Sequence, residues 1–395
     1  EILSGRQVVS YDLLVRIADG LGVPRGHLGL AYDDATAALL AADRSATTGA
    51  EDAEDAKRML ARLAELTVGA ATVDPRSWSQ PFPLTWAPSP DRVGQADVDR
   101  LTSMTAQLRA LDHEYGGGAC RDAVLGQISW AQQLLRARVT EDASRSLHLA
   151  VAELHVLAGW TSFDVGLVSP ARRHFARALE HARFVDESAL VAKVLYCLGR
   201  VHVHHGWGAQ AVHLFQLGQV AAQQSGYARA TAMVEANLGW AHAVVGNEKL
   251  ALGAVSRARD EFGRAEQEAA PTWLAFFDSA ELQALRATAL ANLTTPSQQQ
   301  RAEAIDRLWL STALRELPQV RPRTFELVTL SGLLLDTGDI DQAIRVGHQA
   351  VDLAINLRSK RVLDRFSVLR THLQRHLGGS EARELTERIN GLRAP

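Results

Sequence analysis

The sequence predicts an all-α protein built as a stack of helix hairpins. Three observations predict it. Small and apolar markers recur with a period of forty between Leu147 and Gly263: Gly159, Gly199 and Gly239; Gly166, Gly206 and Gly246; Ala171, Ala211 and Ala251. Phe175 and Phe215 continue the register with Val255 in the third slot, and Ala178, Gly218 and Ala258 close each block. The apolar spacing inside a block is that of one face of a 3.6-residue helix. The second glycine of each block sits where a first helix must stop, and a left-handed cap suits glycine best. A fixed period of this size belongs to stacked supersecondary units, each unable to bury its own apolar face alone.

The markers Leu198-Gly199, Gly206, Ala211, Phe215 and Gly218 resemble the tetratricopeptide repeat, although that repeat is usually 34 residues long. The resemblance implies a right-handed superhelical array of helix hairpins whose concave face binds peptides, proteins or small ligands and is not itself catalytic.

Taken in order, residues 1–30 carry Gly5-Arg6, Ser10 as a helix N-cap, an apolar face from Leu13, Leu14, Ile17, Ala18 and Leu21, then Gly22 and Pro24. The strings Ile2-Leu-Ser-Gly-Arg6 and Leu14-Val-Arg-Ile-Ala-Asp-Gly-Leu-Gly-Val-Pro24 resemble the second half of a helix-turn-helix domain of the phage-repressor-like (XRE) family. That resemblance implies double-stranded DNA as a partner and Arg6 as a DNA-contacting residue. The chain starts at Glu1, not Met, so the recognition helix is expected upstream. The sequence departs from the family at Leu3, where Glu is common. Three basic residues balance three acidic ones over 1–30, so charge alone does not argue for DNA.

Residues 31–95 are expected to form a helical connector and a Pro-rich linker. Leu39, Leu40, Met59, Leu60, Leu63 and Leu66 mark short helices, and the acids around Glu51–Asp55 suit a helix N-terminus. Pro75, Pro81, Pro83, Pro88 and Pro90 interrupt any helix, and Trp78, Phe82 and Trp86 would hold the extended chain onto the array.

Residues 96–395 form the repeat sensor and dimerisation domain. Helices are expected from Asp97 and over Ala119–Arg138, with Gly116-Gly-Gly118 breaking between them. The glycine triplet is no phosphate loop, because no Gly-Lys-Ser/Thr follows. After Gly263 the beat slips: Trp273–Leu293 and Glu303–Leu314 are read as a fourth hairpin. Leu330-Ser331, Gly338, Ala343 and Ala350 restore the markers, and Leu363–Leu377 with Glu381–Leu392 reads as a solvent-facing terminal cap.

Composition bounds the function. Net charge is −3, with 47% hydrophobic and 22% charged residues, which argues against a chain-wide nucleic-acid or acidic-membrane surface. No apolar run approaches the roughly 20 residues of a membrane span. Cys120 and Cys197, the only cysteines, are read as buried thiols in helices, in a reducing cytoplasmic setting. Asp336-Thr-Gly338 spells an aspartic-protease triplet but falls at a helix turn without a second copy. His202, His204, His205 and His242 are read as packing histidines rather than a metal site. No cofactor fingerprint or catalytic constellation is present, so an enzyme is not expected.

Projecting the repeat gives candidate ligand residues. Trp160, Arg200 and Trp240 follow the first small marker and point into the concave channel. Tyr196 lies one turn earlier on that face, and Asn237 lies beside Trp240. Aromatic faces around an Arg, with an amide near, suit a ligand with an apolar body and a polar or anionic group. The alternative is that both Trp residues are inter-helix core and Arg200 is solvated. The combination resembles ligand-responsive transcription regulators of Gram-positive bacteria that join a helix-turn-helix head to tetratricopeptide-like repeats. An Ala-, Arg- and Leu-rich composition fits an actinobacterial protein. The resemblance implies a homodimer that binds DNA and a peptide or small-molecule effector. The competing reading is a repeat adaptor that binds a protein partner without DNA.

Overall fold

The computed structural model describes residues 90–265, 271–315, 319–376 and 379–392, together with Ala61. Arg6, the helix-turn-helix segment over 1–30, and nearly all of the connector and linker lie outside the described residues.

The described residues are almost entirely helical. Among the described residues there are fourteen α-helices: α1 Gln95–Tyr115, α2 Gly117–Arg136, α3 Glu141–Asp164, α4 Val168–Phe184, α5 Ser188–His204, α6 Gly208–Ser225, α7 Ala228–Val244, α8 Glu248–Ala265, α9 Ser279–Ala291, α10 Gln298–Leu314, α11 Val320–Thr337, α12 Ile340–Ala354, α13 Lys360–Leu373 and α14 Ser380–Asn390. Consecutive helices pack in antiparallel-style pairs, α1 with α2 through α13 with α14.

The forty-residue markers build the seam of each pair. Gly166, Gly206 and Gly246 take φ of 86°, 77° and 80°, ending α3, α5 and α7 in a conformation that a Cβ disfavours. Gly159 and Gly199 lie directly under the rings of Phe175 and Phe215. A Cβ at Gly199 would stand 2.3 Å from the Phe215 ring, so the two helices approach to a distance only glycine allows. In the α7–α8 pair Gly239 faces Val255 instead. The sixth pair inverts the scheme. Ser331 takes the small position and donates to the Ala343 carbonyl, while Gly347 stands where Phe would be and leaves its space to Leu385 of α14.

Three expectations need correction. A two-residue parallel ladder exists, β1 Arg92–Val93 with β2 Arg138–Val139. It forms because the segments entering α1 and α3 run side by side. Trp273 is not part of the fourth hairpin's first helix: it lies in a 3₁₀ turn, Thr272–Leu274, and α9 begins after Asp278, whose carboxylate caps the Glu281 N–H at 2.8 Å. The C-terminal hairpin is not a solvent-facing cap at the free end of an open array. The turn before α13 docks on the turn between α1 and α2: Arg358 N–H donates to the Tyr115 carbonyl at 2.7 Å, and Gly118 N–H donates to the Arg358 carbonyl at 2.9 Å. Gly116 and Gly117 make that approach possible, since side chains there would strike the Arg358 backbone and the Thr161 carbonyl. The array closes on itself, and the inner faces of α1, α3, α5, α11 and α13 share one interior.

The closure is held by a buried ionic clasp. Asp164, at the end of α3 and fully buried, accepts from the Gly117 N–H (2.9 Å), Ser359 Oγ (2.9 Å), Arg321 Nη1 (3.0 Å) and Arg361 Nη1 (3.3 Å). Arg321 also forks onto Asp112 of α1. Burial alone would raise the Asp112 carboxyl, yet the adjoining Arg321 guanidinium holds it below its ordinary range.

Candidate ligand cavity

The inner faces frame a half-open cavity of about 350 Å³. This lies at the lower end of the roughly 300–1,000 Å³ of small-molecule sites. Four of the five residues singled out from the repeat line it: Trp160 on α3, Tyr196 and Arg200 on α5, and Trp240 on α7. They converge because the forty-residue period carries them to equivalent places on successive inner helices. Trp160 and Tyr196 stack with ring centroids 6.4 Å apart. Arg200 lies over Trp240 at 5.1 Å and beside Tyr196 at 5.7 Å.

Asn237 is placed differently from expectation. It is fully buried behind the wall and does not line the cavity. Its amide donates to the Met233 carbonyl at 2.8 Å, and its oxygen accepts from Arg200 Nη1 at 3.3 Å. It therefore orients the guanidinium and does not meet a ligand directly. The alternatives for the tryptophans also resolve unevenly. Trp240 is both core and lining, at 5% exposure, while Arg200 is not solvated but half-buried against rings.

The opposite wall was not legible in the repeat. Phe325 and Arg321 of α11, Arg361 and Arg365 of α13, Glu281 of α9, and Arg315 and Glu326 beside them all face the same space. Arg361 stacks over Trp160 at 4.7 Å and Phe325 at 5.0 Å. Arg365 lies over Trp240 at 5.7 Å and Phe325 at 6.0 Å. Lys193, two turns before Arg200 on α5, is 5% exposed. Its ammonium donates to the Trp273 carbonyl at 2.7 Å and sits 5.2 Å over the Phe276 ring. Burial, reinforced by nearby Arg109, pulls Lys193 down to about 7.

The carboxylates are largely spoken for. Glu153 pairs with Arg109 at 3.0 Å, and Asp112 and Asp164 hold Arg321 and Arg361. Glu281 meets Arg315 at 2.6 Å and Arg200 only at 3.5 Å. Glu326 meets Arg315 at 2.8 Å, and its burial raises that carboxyl to about 7. Among the described residues Arg365 has no carboxylate within 4.0 Å. Burial and the neighbouring Arg200 lower it to about 10, still protonated at neutral pH. The buried polar atoms of the lining that lack a hydrogen bond are Trp240 Nε1, Trp273 Nε1, Arg361 Nε and a single acceptor, Glu326 Oε2.

The histidines singled out from the sequence lie elsewhere. His202 Nδ1 is 2.8 Å from the Leu198 carbonyl, and His204 Nε2 is 3.2 Å from Asp364 of α13. Among the described residues no group of three or more His, Cys, Asp or Glu is arranged to hold a metal ion. Asp336 of the protease-like triplet pairs with His372 at 3.1 Å, and Gly338 is the αL cap of α11. Both cysteines are buried in helices, and burial pushes both thiols up to about 12. No described helix is long and apolar enough to cross a membrane. The chain matches no protein-family model, and no curated protein matches it in sequence.

Proposed function

We propose that this protein is a ligand-responsive, DNA-binding transcriptional regulator. Residues 1–30 are the C-terminal part of an XRE-type helix-turn-helix domain with Arg6 at the DNA, and the helix hairpins are a right-handed, tetratricopeptide-like sensor that also forms a homodimer. The observation that carries the reading is the central cavity. Its walls take Trp160, Tyr196, Arg200 and Trp240 from three consecutive inner helices and combine aromatic faces with cations, the chemistry of a ligand site. A half-open cavity of this volume suits a small molecule or a short peptide end better than the extended protein segment that an adaptor would grip.

The same geometry supports a route for signalling. A ligand in the cavity touches α1 and α13 at once, so it binds the start and the end of the array together. Stacked hairpins pass small rotations along their length, and a change in ring closure alters the spacing of two DNA-binding heads in a dimer. The test is a gel-shift titration of the protein against genomic fragments, beside light scattering. Salt-sensitive, sequence-selective binding by a dimer supports the regulator. Absence of such binding, with a monomer in solution, turns the reading to a protein adaptor.

A further inference from the structure

We propose that the cavity takes a small organic anion with a flat unsaturated body, its anionic group held between Arg200 and Arg365 above Trp240. This rests on the sensor reading and narrows the class of signal.

The first support is the distribution of charge. Arg315, Arg321, Arg361 and Arg109 each have a carboxylate at 3.3 Å or closer. Arg200 has only a 3.5 Å share of Glu281, which Arg315 already engages at 2.6 Å. Arg365 has none among the described residues, and its charged neighbour is Arg200 itself. Two guanidiniums within 5.1 and 5.7 Å of one indole centroid repel one another, and an anion between them relieves that repulsion. Guanidinium forks match the geometry of a carboxylate or phosphate.

The second support is the polarity of the unused hydrogen-bonding atoms. The buried N–H groups of Trp240 and Trp273 have no partner, and both residues line the cavity. Lys193 adds a donor roughly 10 Å along α5 from Arg200, taking about 1.5 Å of rise per residue. Donors therefore outnumber acceptors along the lining. The unused acceptor, Glu326 Oε2, sits beside Arg315. Aromatic faces from Trp160, Tyr196 and Phe276 lie between the donors. A flat ligand, anionic at one end, suits the two guanidiniums and the aromatic faces together. A cation could reach Glu326 and the rings but would face the Arg200 and Arg365 charges.

The experiment uses the full chain and the fluorescent aromatic sulfonate 8-anilinonaphthalene-1-sulfonate as probe. Competition is measured with three molecules of one shape: 1-naphthoate, neutral 1-naphthamide and cationic 1-naphthylmethylammonium. The expected result is saturable one-site probe binding, displaced by naphthoate at least about tenfold better than by naphthamide, as one charge-assisted contact implies. Arg365→Met should erase that preference while its melting curve stays close to wild type, because Arg365 gives up no ion pair. Equal displacement by the amide, better displacement by the ammonium, an unchanged preference in Arg365→Met, or no one-site binding would each overturn the proposal. Gel shifts with and without naphthoate separate the two readings. Selective naphthoate binding that leaves DNA affinity unchanged keeps the anion site and removes the sensor role.

Discussion

Arg321 and Asp112 are 209 residues apart in the chain, yet both guanidinium ends lie 2.7 Å from the two carboxylate oxygens. This fork joins the sixth hairpin to the first and is buried on both sides. Burying such a pair gives little net stability, but removing one partner strands the other charge at about 3–5 kcal/mol. Arg321→Met is therefore expected to lower stability by that amount, because it strips a cation from both Asp112 and Asp164. Asp112→Asn should cost less, since Arg321 keeps Asp164. Urea denaturation of the two variants reads the order, and equal losses would show that the clasp does not hold the ring.

The close contact of Gly199 with Phe215 yields a second prediction. Gly199→Ala forces a methyl group into the ring, and overpacking of this kind costs about 1–3 kcal/mol. The third repeat meets the same problem with a smaller partner, Val255. The double variant Gly199→Ala/Phe215→Val should recover part of the loss. Non-additivity in a double-mutant cycle is the measurement, and strict additivity would contradict the contact.

Acid should unfold the protein through a histidine ladder between α3 and α4. His148 and His181 face each other with Nδ1 atoms 2.9 Å apart, and His155 and His174 at 3.1 Å. Each pair needs one ring to donate and one to accept, so the accepting ring must be neutral and the pair cannot take up two protons. Burial lowers all four. His148 and His174 fall to about 4, while His155 and His181 fall well below their ordinary value. The folded state therefore refuses protons that the unfolded chain accepts. Stability is fully present above about pH 6.5 and is lost as pH falls toward 4, by up to roughly 1.4 kcal/mol per pH unit for each histidine. His148→Gln/His181→Leu should flatten that slope in melting curves taken from pH 7.5 to 5. A slope equal to wild type would exclude the ladder as its source.

Arg200 and Trp240 separate signalling from folding unequally. Arg200→Ala leaves Glu281 with Arg315 and Asn237 with the Met233 carbonyl, so it should abolish ligand response with little loss of stability. Trp240 is core as well as lining, and Trp240→Ala should destabilise by about 3–5 kcal/mol. Trp240→Phe keeps most of the packing and removes the free indole N–H. Ligand titration beside thermal melts distinguishes these effects, and a normal response in Arg200→Ala would place the site elsewhere.

The amino-acid sequence by itself determined the helix hairpins, their forty-residue beat and the inward face. Those features are local: Gly206 must end its helix wherever the chain goes next, and Gly199 must face Phe215 because both lie at fixed offsets within one hairpin. Trp160, Tyr196, Arg200 and Trp240 were legible for the same reason, since a periodic chain carries each to the same height on the next inner helix. Asn237 was misplaced because it follows Ala236, the position equivalent to Tyr196, by one residue, and that step turns its side chain by about 100° to behind Arg200. The other wall was decided only by the tertiary structure. Arg365 falls in a segment read as a solvent-facing cap, Arg321 and Arg361 carry no repeat marker, and Gly116-Gly-Gly118 read as a simple break. They become a clasp, a cavity wall and a docking seat because small rotations between successive hairpins add up until the last meets the first. That sum depends on every interface along the array at once, and no local spacing records it.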